Sequence, residues 1–145
     1  MRLGTLLGPD ILEIVRDDPA SLREGLEDFH AADVADLLEE IPREDRLRVL
    51  ENLSANQIGG ILTYLSGETL KVALTRLSPK VLAGALDTLE TDDAARLLSF
   101  LSQEKRIPVL AGMSAKDAAA ARGLLTYEAG TAGRLMTAMF VRVRP

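Results

Sequence analysis

The sequence predicts an all-α protein built as a solenoid of short helices, and three observations carry that expectation. The first is a period of twelve residues. Cut from Asp18, the chain reads DPASLREGLEDF, HAADVADLLEEI, PREDRLRVLENL, SANQIGGILTYL and so on, without an insertion, for nine units to Leu125. The second is a leucine column at the ninth position, formed by Leu26, Leu38, Leu50, Leu62, Leu74, Leu86, Leu98 and Leu110 and broken by Arg122. The third is that positions five, eight, nine and twelve are mostly apolar, a spacing of i, i+3, i+4, i+7 that marks one face of an α-helix. Helices this short are marginal alone and must bury their leucine stripe against neighbours, which stacking in sequence achieves. An ordinary up-and-down bundle is the alternative, but it gives no reason for eight consecutive leucines at one spacing.

Taken in order, residues 1–17 form a lead-in containing one short helix, broken early by Gly8 and Pro9. Residues 18–125 are the helical repeat. Each unit restarts because its first position is a capping residue: Asp18, Ser54, Ser66, Ser78, Ser102 and Ser114 can each accept a hydrogen bond from the free amides of a new turn. Pro19 and Pro79 stand just inside a start, where a missing amide costs nothing. Ser54 with Gln57 fits a capping box, and Glu44, Asp45, Asp92, Asp93 and Asp117 favour the positive end of the helix dipole. Gly59 and Gly60 in mid-helix cost about 1 kcal/mol each relative to Ala, which suggests close approach of another helix or a partner, or simple tolerance. Pro108 removes one helical hydrogen bond and should kink or restart its helix. The unit with Ala118–Ala121 and Arg122 reads as a thinner terminal cap. Residues 126–145 read as a linker leading to a strand, since Phe140, Val141, Arg142, Val143 and Arg144 have a β-type pattern that nothing earlier in the chain can partner.

Composition narrows the function. Hydrophobic residues make up 47% of the chain but aromatics only 3%, which suits thin leucine-lined interfaces and leaves no surface for stacking bases or sugars. There is no cysteine, so disulfides, thiolate metal sites and cysteine nucleophiles are excluded. No apolar run approaches the roughly 20 residues of a membrane helix, and no secretory signal is evident. The net charge of −5 is unevenly placed: residues 1–51 hold 14 acids against 6 bases, and the remainder 8 acids against 11 bases. A nucleic-acid binder would instead concentrate basic residues on one face. His30 is the only histidine, and its place at a unit boundary suits capping or packing. With no phosphate-binding glycine loop and no nucleophilic set, the sequence points away from an enzyme.

The carboxylates suit a different role. Asp33, Asp36 and Glu40 are spaced i, i+3, i+7 on one helix face, Asp92 and Asp93 open a later helix, and Asp17, Asp18, Glu27 and Asp28 thicken the acidic first third. Hard oxygen ligands of this kind fit Mg²⁺, which keeps most of its waters and takes only one or two carboxylates from any element. The competing reading is a solvated face with acids at helix N-termini.

FHAADVADLLEEIPREDRLRVLENL, ETDDAARLLSFL and YEAGTAGRLMTAMFVRV resemble, respectively, the opening helices, the Asp-Asp-Ala-Ala unit and the Leu-Met-Thr junction of the MgtE family of magnesium transporters. The likeness runs over about residues 29–145, and the junction is its specific part. The resemblance implies a right-handed superhelical N-terminal domain on the cytoplasmic side of the membrane, followed by the first strand of a CBS domain within 126–145. It implies as partners the CBS domains and transmembrane domain of the same polypeptide, in a homodimer, with no nucleic acid. It further implies that Mg²⁺ held between this domain and the CBS domains screens their acidic surfaces and closes the pore, because facing carboxylates repel when bare and attract when cation-bridged. Asp92 and Asp93 match the family's sensing acids. Gly60 and Arg96 stand where family members can carry carboxylates, so either sensing is weaker or other acids, such as Asp33 and Asp36, serve. The flagellar motor-switch proteins contain similar short-helix superhelices, and some proteins join this helical domain to CBS domains without a pore, which makes a protein-binding scaffold without ion sensing, motor-switch-like or CBS-associated, the alternative.

Overall fold

From α3 onward a new helix begins every twelve residues. The computed structural model describes residues 12–130, and among them every regular element is helical. Helix α1 includes residues 12–17. A 3-10 turn at Pro19–Ser21 leads into the single-turn α2 (Leu22–Gly25). Then follow α3 (Ala31–Glu40), α4 (Arg43–Glu51), α5 (Ala55–Tyr64), α6 (Gly67–Arg76), α7 (Pro79–Leu86), α8 (Thr91–Ser99), α9 (Gln103–Gly112) and α10 (Ala115–Gly130). Their starts fall at 31, 43, 55, 67, 79, 91, 103 and 115, the spacing of the leucine column.

That column is the core. Leu26, Leu38, Leu50, Leu62, Leu74, Leu86, Leu98 and Leu110 are all buried, and Leu37, Val49, Ile61, Ala73, Ala85, Leu97 and Val109 are buried beside them at position eight. Position twelve is buried at Ile41, Leu53, Leu65, Leu77, Leu101 and Met113, so the turns between helices are pinned as well as the helices. The column ends where expected, with Arg122 exposed.

Helices pack on their second neighbours: α3 on α5, α5 on α7, α7 on α9, and α8 on α10. The odd-numbered stack is held close by small residues. A Cβ at Gly59 would lie 2.5 Å from Thr88 Oγ1 and 2.6 Å from the Ala85 carbonyl oxygen of the α7 end, and one at Gly60 would lie 3.1 Å from Ala31 of α3. Gly112 of α9 meets Ala83 of α7 in the same manner, at 3.0 Å. Close approach of a neighbouring helix is therefore the reason for the glycine pair in α5.

From α3 to α9, capping also alternates between the two kinds of helix. Ser54, Ser78 and Ser102 accept bonds from the third amide of α5, α7 and α9, and His30 Nδ1 accepts from Ala32 N of α3 at 3.0 Å. The Ser54 cap is a full capping box, with Gln57 N to Ser54 Oγ at 3.2 Å and Ser54 N to Gln57 Oε1 at 2.8 Å. Helices α4, α6 and α8 are preceded by Pro42, Ser66 and Glu90, none of which makes a side-chain capping bond. Ser66 thus departs from the expectation: the following Gly67 takes φ +56°, a turn that leaves the hydroxyl off the first amides. Asp18 likewise makes no such bond to the 3-10 turn. Ser114 does cap α10, accepting from Asp117 N at 3.2 Å.

Two further expectations are refined. Of the kink or restart expected at Pro108, the restart does not occur: α9 runs from Gln103 to Gly112 through it, with Pro108 on the exposed side and Val109 and Leu110 beyond it buried. Helix α10 does not stop at Leu125 but runs on to Gly130, into the segment expected to be a linker. The strand expected at Phe140–Arg144, and the break at Gly8 and Pro9, lie outside the described residues.

Candidate functional site

The acids singled out in the sequence fall on two separate helices. In α3, burial of Val34, Ala35, Leu37 and Leu38 leaves Asp33, Asp36, Glu39 and Glu40 on the exposed side. In α8, Ala94, Ala95, Leu97 and Leu98 are buried, and Asp92 stands exposed in the first turn beside the half-buried Asp93. Asp92 Oδ1 accepts the Asp93 amide at 3.0 Å, which fixes one carboxylate at the positive end of the helix. Helix α3 packs on α5 and α8 on α10, so the fold keeps Asp33 with Asp36 and Asp92 with Asp93 as two pairs. Among the described residues, no group of three or more His, Cys, Asp or Glu side chains is arranged to hold a metal ion.

The two positions where the family resemblance allows carboxylates have clear surroundings. Gly60 faces Ala31 of α3 so closely that any side chain there would require α3 to give by a few tenths of an ångström. Arg96 is exposed, and its carbonyl accepts the Ser99 hydroxyl at 2.6 Å. His30 is committed to structure: besides capping α3, its ring meets Tyr64 edge-on at 5.6 Å between centroids. The sole histidine is thus spent as a helix cap.

Three cations and one acid do work that the sequence reading did not assign. Arg46 and Arg106 occupy position five, otherwise an apolar column, and each turns back onto the helix before it. Arg46 donates to the Ile41 and Glu39 carbonyls of the α3 end and to Thr69 Oγ1, all within 3.2 Å. Arg106 donates to the Leu98, Leu101 and Ser99 carbonyls of the α8 end at 3.0, 3.0 and 3.4 Å. Both add donors to carbonyls at the terminus of the preceding helix. Lys105 Nζ does the same for α6, donating to the Thr75 and Leu77 carbonyls at 2.6 Å each, and burial pulls its pKa below the ordinary lysine value. Asp45, foreseen only as a helix-dipole acid, is 6% exposed and accepts from Arg16 at 3.1 Å, tying α1 to α4. A charged residue in a column of apolar ones was the available signal for the two arginines; nothing in the spacing pointed to the other two.

Grooves open beside α4 and α6, where the odd-numbered helices from α3 to α9 are in contact. One of about 460 Å³ lies between α4 and α6, edged by Arg43, Arg46, Arg76, Glu44 and Glu68. Another, of about 560 Å³, lies between α6 and the α8–α9 turn.

A stack of short helices with acid pairs on its outer surface and its only histidine used as a cap defines an all-α helical domain. The chain belongs to the family of the MgtE intracellular N domain, whose model matches residues 29–130. Among solved structures it is similar to the soluble part of a magnesium transporter, with a TM-score of 0.69 and 26% identity, covering 90% of this chain. The chain spans about half of that protein, 52% of its length. No curated protein matches the sequence. Among the described residues no helix is long and apolar enough to cross a membrane.

Proposed function

We propose that this domain is the cytosolic regulatory part of a Mg²⁺ transporter and that it senses intracellular Mg²⁺ by docking, through shared ions, against CBS domains that follow it. The observation that carries the reading is the exposed Asp92, with Asp93, on the first turn of α8 in a domain of the MgtE intracellular N family. Each acid pair here supplies two carboxylates, which suits Mg²⁺ held largely by water and completed by ligands from a facing surface. Asp33 and Asp36 would form a second such half-site on α3. Bare, these surfaces repel other acidic surfaces; bridged by Mg²⁺, they attract, and the resulting closure would be transmitted to the pore. The reading includes a homodimer in the full-length protein and requires no catalysis.

Isothermal titration calorimetry on this chain alone tests the half-site idea. Mg²⁺ should bind in the millimolar range or weaker, because each site lacks the ligands of its facing domain. Tight, stoichiometric binding would show instead that complete sites exist within the domain.

A further inference from the structure

We propose that the groove between α6 and the α8–α9 turn is a docking site for an acidic protein segment carrying a large apolar side chain. The groove has an apolar floor of Leu70, Leu74 and Leu101, and the Phe100 ring stands on its wall 57% exposed. Such exposure of an aromatic beside a cavity of about 560 Å³ gives an incoming apolar group both a space and a contact face. Its charge selects the partner. The lining contains Lys71 and Lys105 and no carboxylate, in a chain whose 22 acids outnumber its 17 bases. Lys105 closes one side by bridging to the end of α6, with two of its three N–H groups directed to the Thr75 and Leu77 carbonyls. At the other side the groove reaches Gly67, where α6 begins without a side-chain cap. Ammonium groups and uncapped amides at the edges of an apolar floor complement carboxylates placed on either side of a hydrophobic anchor.

This surface uses none of the acids in the ion-sensing proposal, and its test is run without Mg²⁺ so that the two stand or fall separately. The probe is a fluorescent synthetic peptide with Leu at i and i+4 and Glu at the flanking positions, followed by anisotropy against the full chain; the control peptide has Lys in place of each Glu. The acidic peptide should bind saturably and the basic one at least about tenfold more weakly. Lys71→Glu and Phe100→Ala, both at exposed side chains, should each weaken the acidic peptide by about tenfold while leaving the helical circular dichroism and the melting temperature near the parent's. Equal binding of both peptides, no binding of the acidic one, or unchanged binding by the two variants overturns the proposal. Concentration-dependent self-association that Phe100→Ala abolishes would also overturn it, by making a second copy the occupant.

Discussion

Arg46 and Arg106 show how a single charged side chain is accommodated in a core column. Each aliphatic stem takes the place of an apolar residue at position five, and each guanidinium is delivered to the carbonyls where the preceding helix ends. The turn needs donors there, so the substitution stabilises the junction it would otherwise disrupt. Gly59 illustrates the opposite constraint. In an exposed helix Gly→Ala gains about 0.5 to 1 kcal/mol from propensity, but at Gly59 the new Cβ would strike the Ala85 carbonyl, a backbone atom that cannot move aside cheaply. Gly59→Ala should therefore destabilise the domain by about 1 to 3 kcal/mol in urea unfolding. Gly123→Ala, where nothing lies within 4 Å of the added carbon, should stabilise it by about 0.5 to 1 kcal/mol. Equal effects at the two sites would contradict the close stacking of α5 on α7.

At the level of the element, the twelve-residue unit proves to be half of the structural repeat. Helices α3, α5, α7 and α9 are capped by a side chain and stack in contact, the first three with Ala35, Gly59 and Ala83 at position six; α4, α6 and α8 lack those caps, and grooves separate α4 from α6 and α6 from the α8–α9 turn. The helix starts, the leucine face and most caps were legible because each depends on residues within one unit, where spacing and hydrogen-bond geometry are local. The alternation was harder to read because it depends on which helices touch, although Ala35, Gly59 and Ala83 recur at twice the period. The end of α10 was missed for a related reason. A twelve-residue frame marks where a helix can restart, and Thr126 stands at the next such position, but α10 continues through it to Gly130. Leu62 and Leu74, at 0% and 3% exposure, belong to adjacent helices of the two kinds. Leu62→Ala and Leu74→Ala should each cost about 2 to 5 kcal/mol, measured by denaturant unfolding. A loss below about 0.5 kcal/mol, the value for a surface position, would mean that the column is not the core.

For the whole molecule, the uneven charge has a structural counterpart. The exposed acids of α3 belong to the strongly acidic first third, whereas the lysine-edged groove lies in the later part, where bases outnumber acids. The candidate acids could be read from the sequence as residues, but not as a site: the described residues keep them as two pairs on separate helices, and under the proposed function each pair is completed by a facing domain. That dependence on a facing domain is the central claim, and small-angle X-ray scattering on a longer chain carrying the following domains tests it most directly. Adding Mg²⁺ should reduce the radius of gyration, and Asp92→Asn with Asp93→Asn should shift that compaction to higher Mg²⁺. A radius of gyration unchanged by Mg²⁺ would contradict ion sensing and favour a helical scaffold that binds protein partners alone.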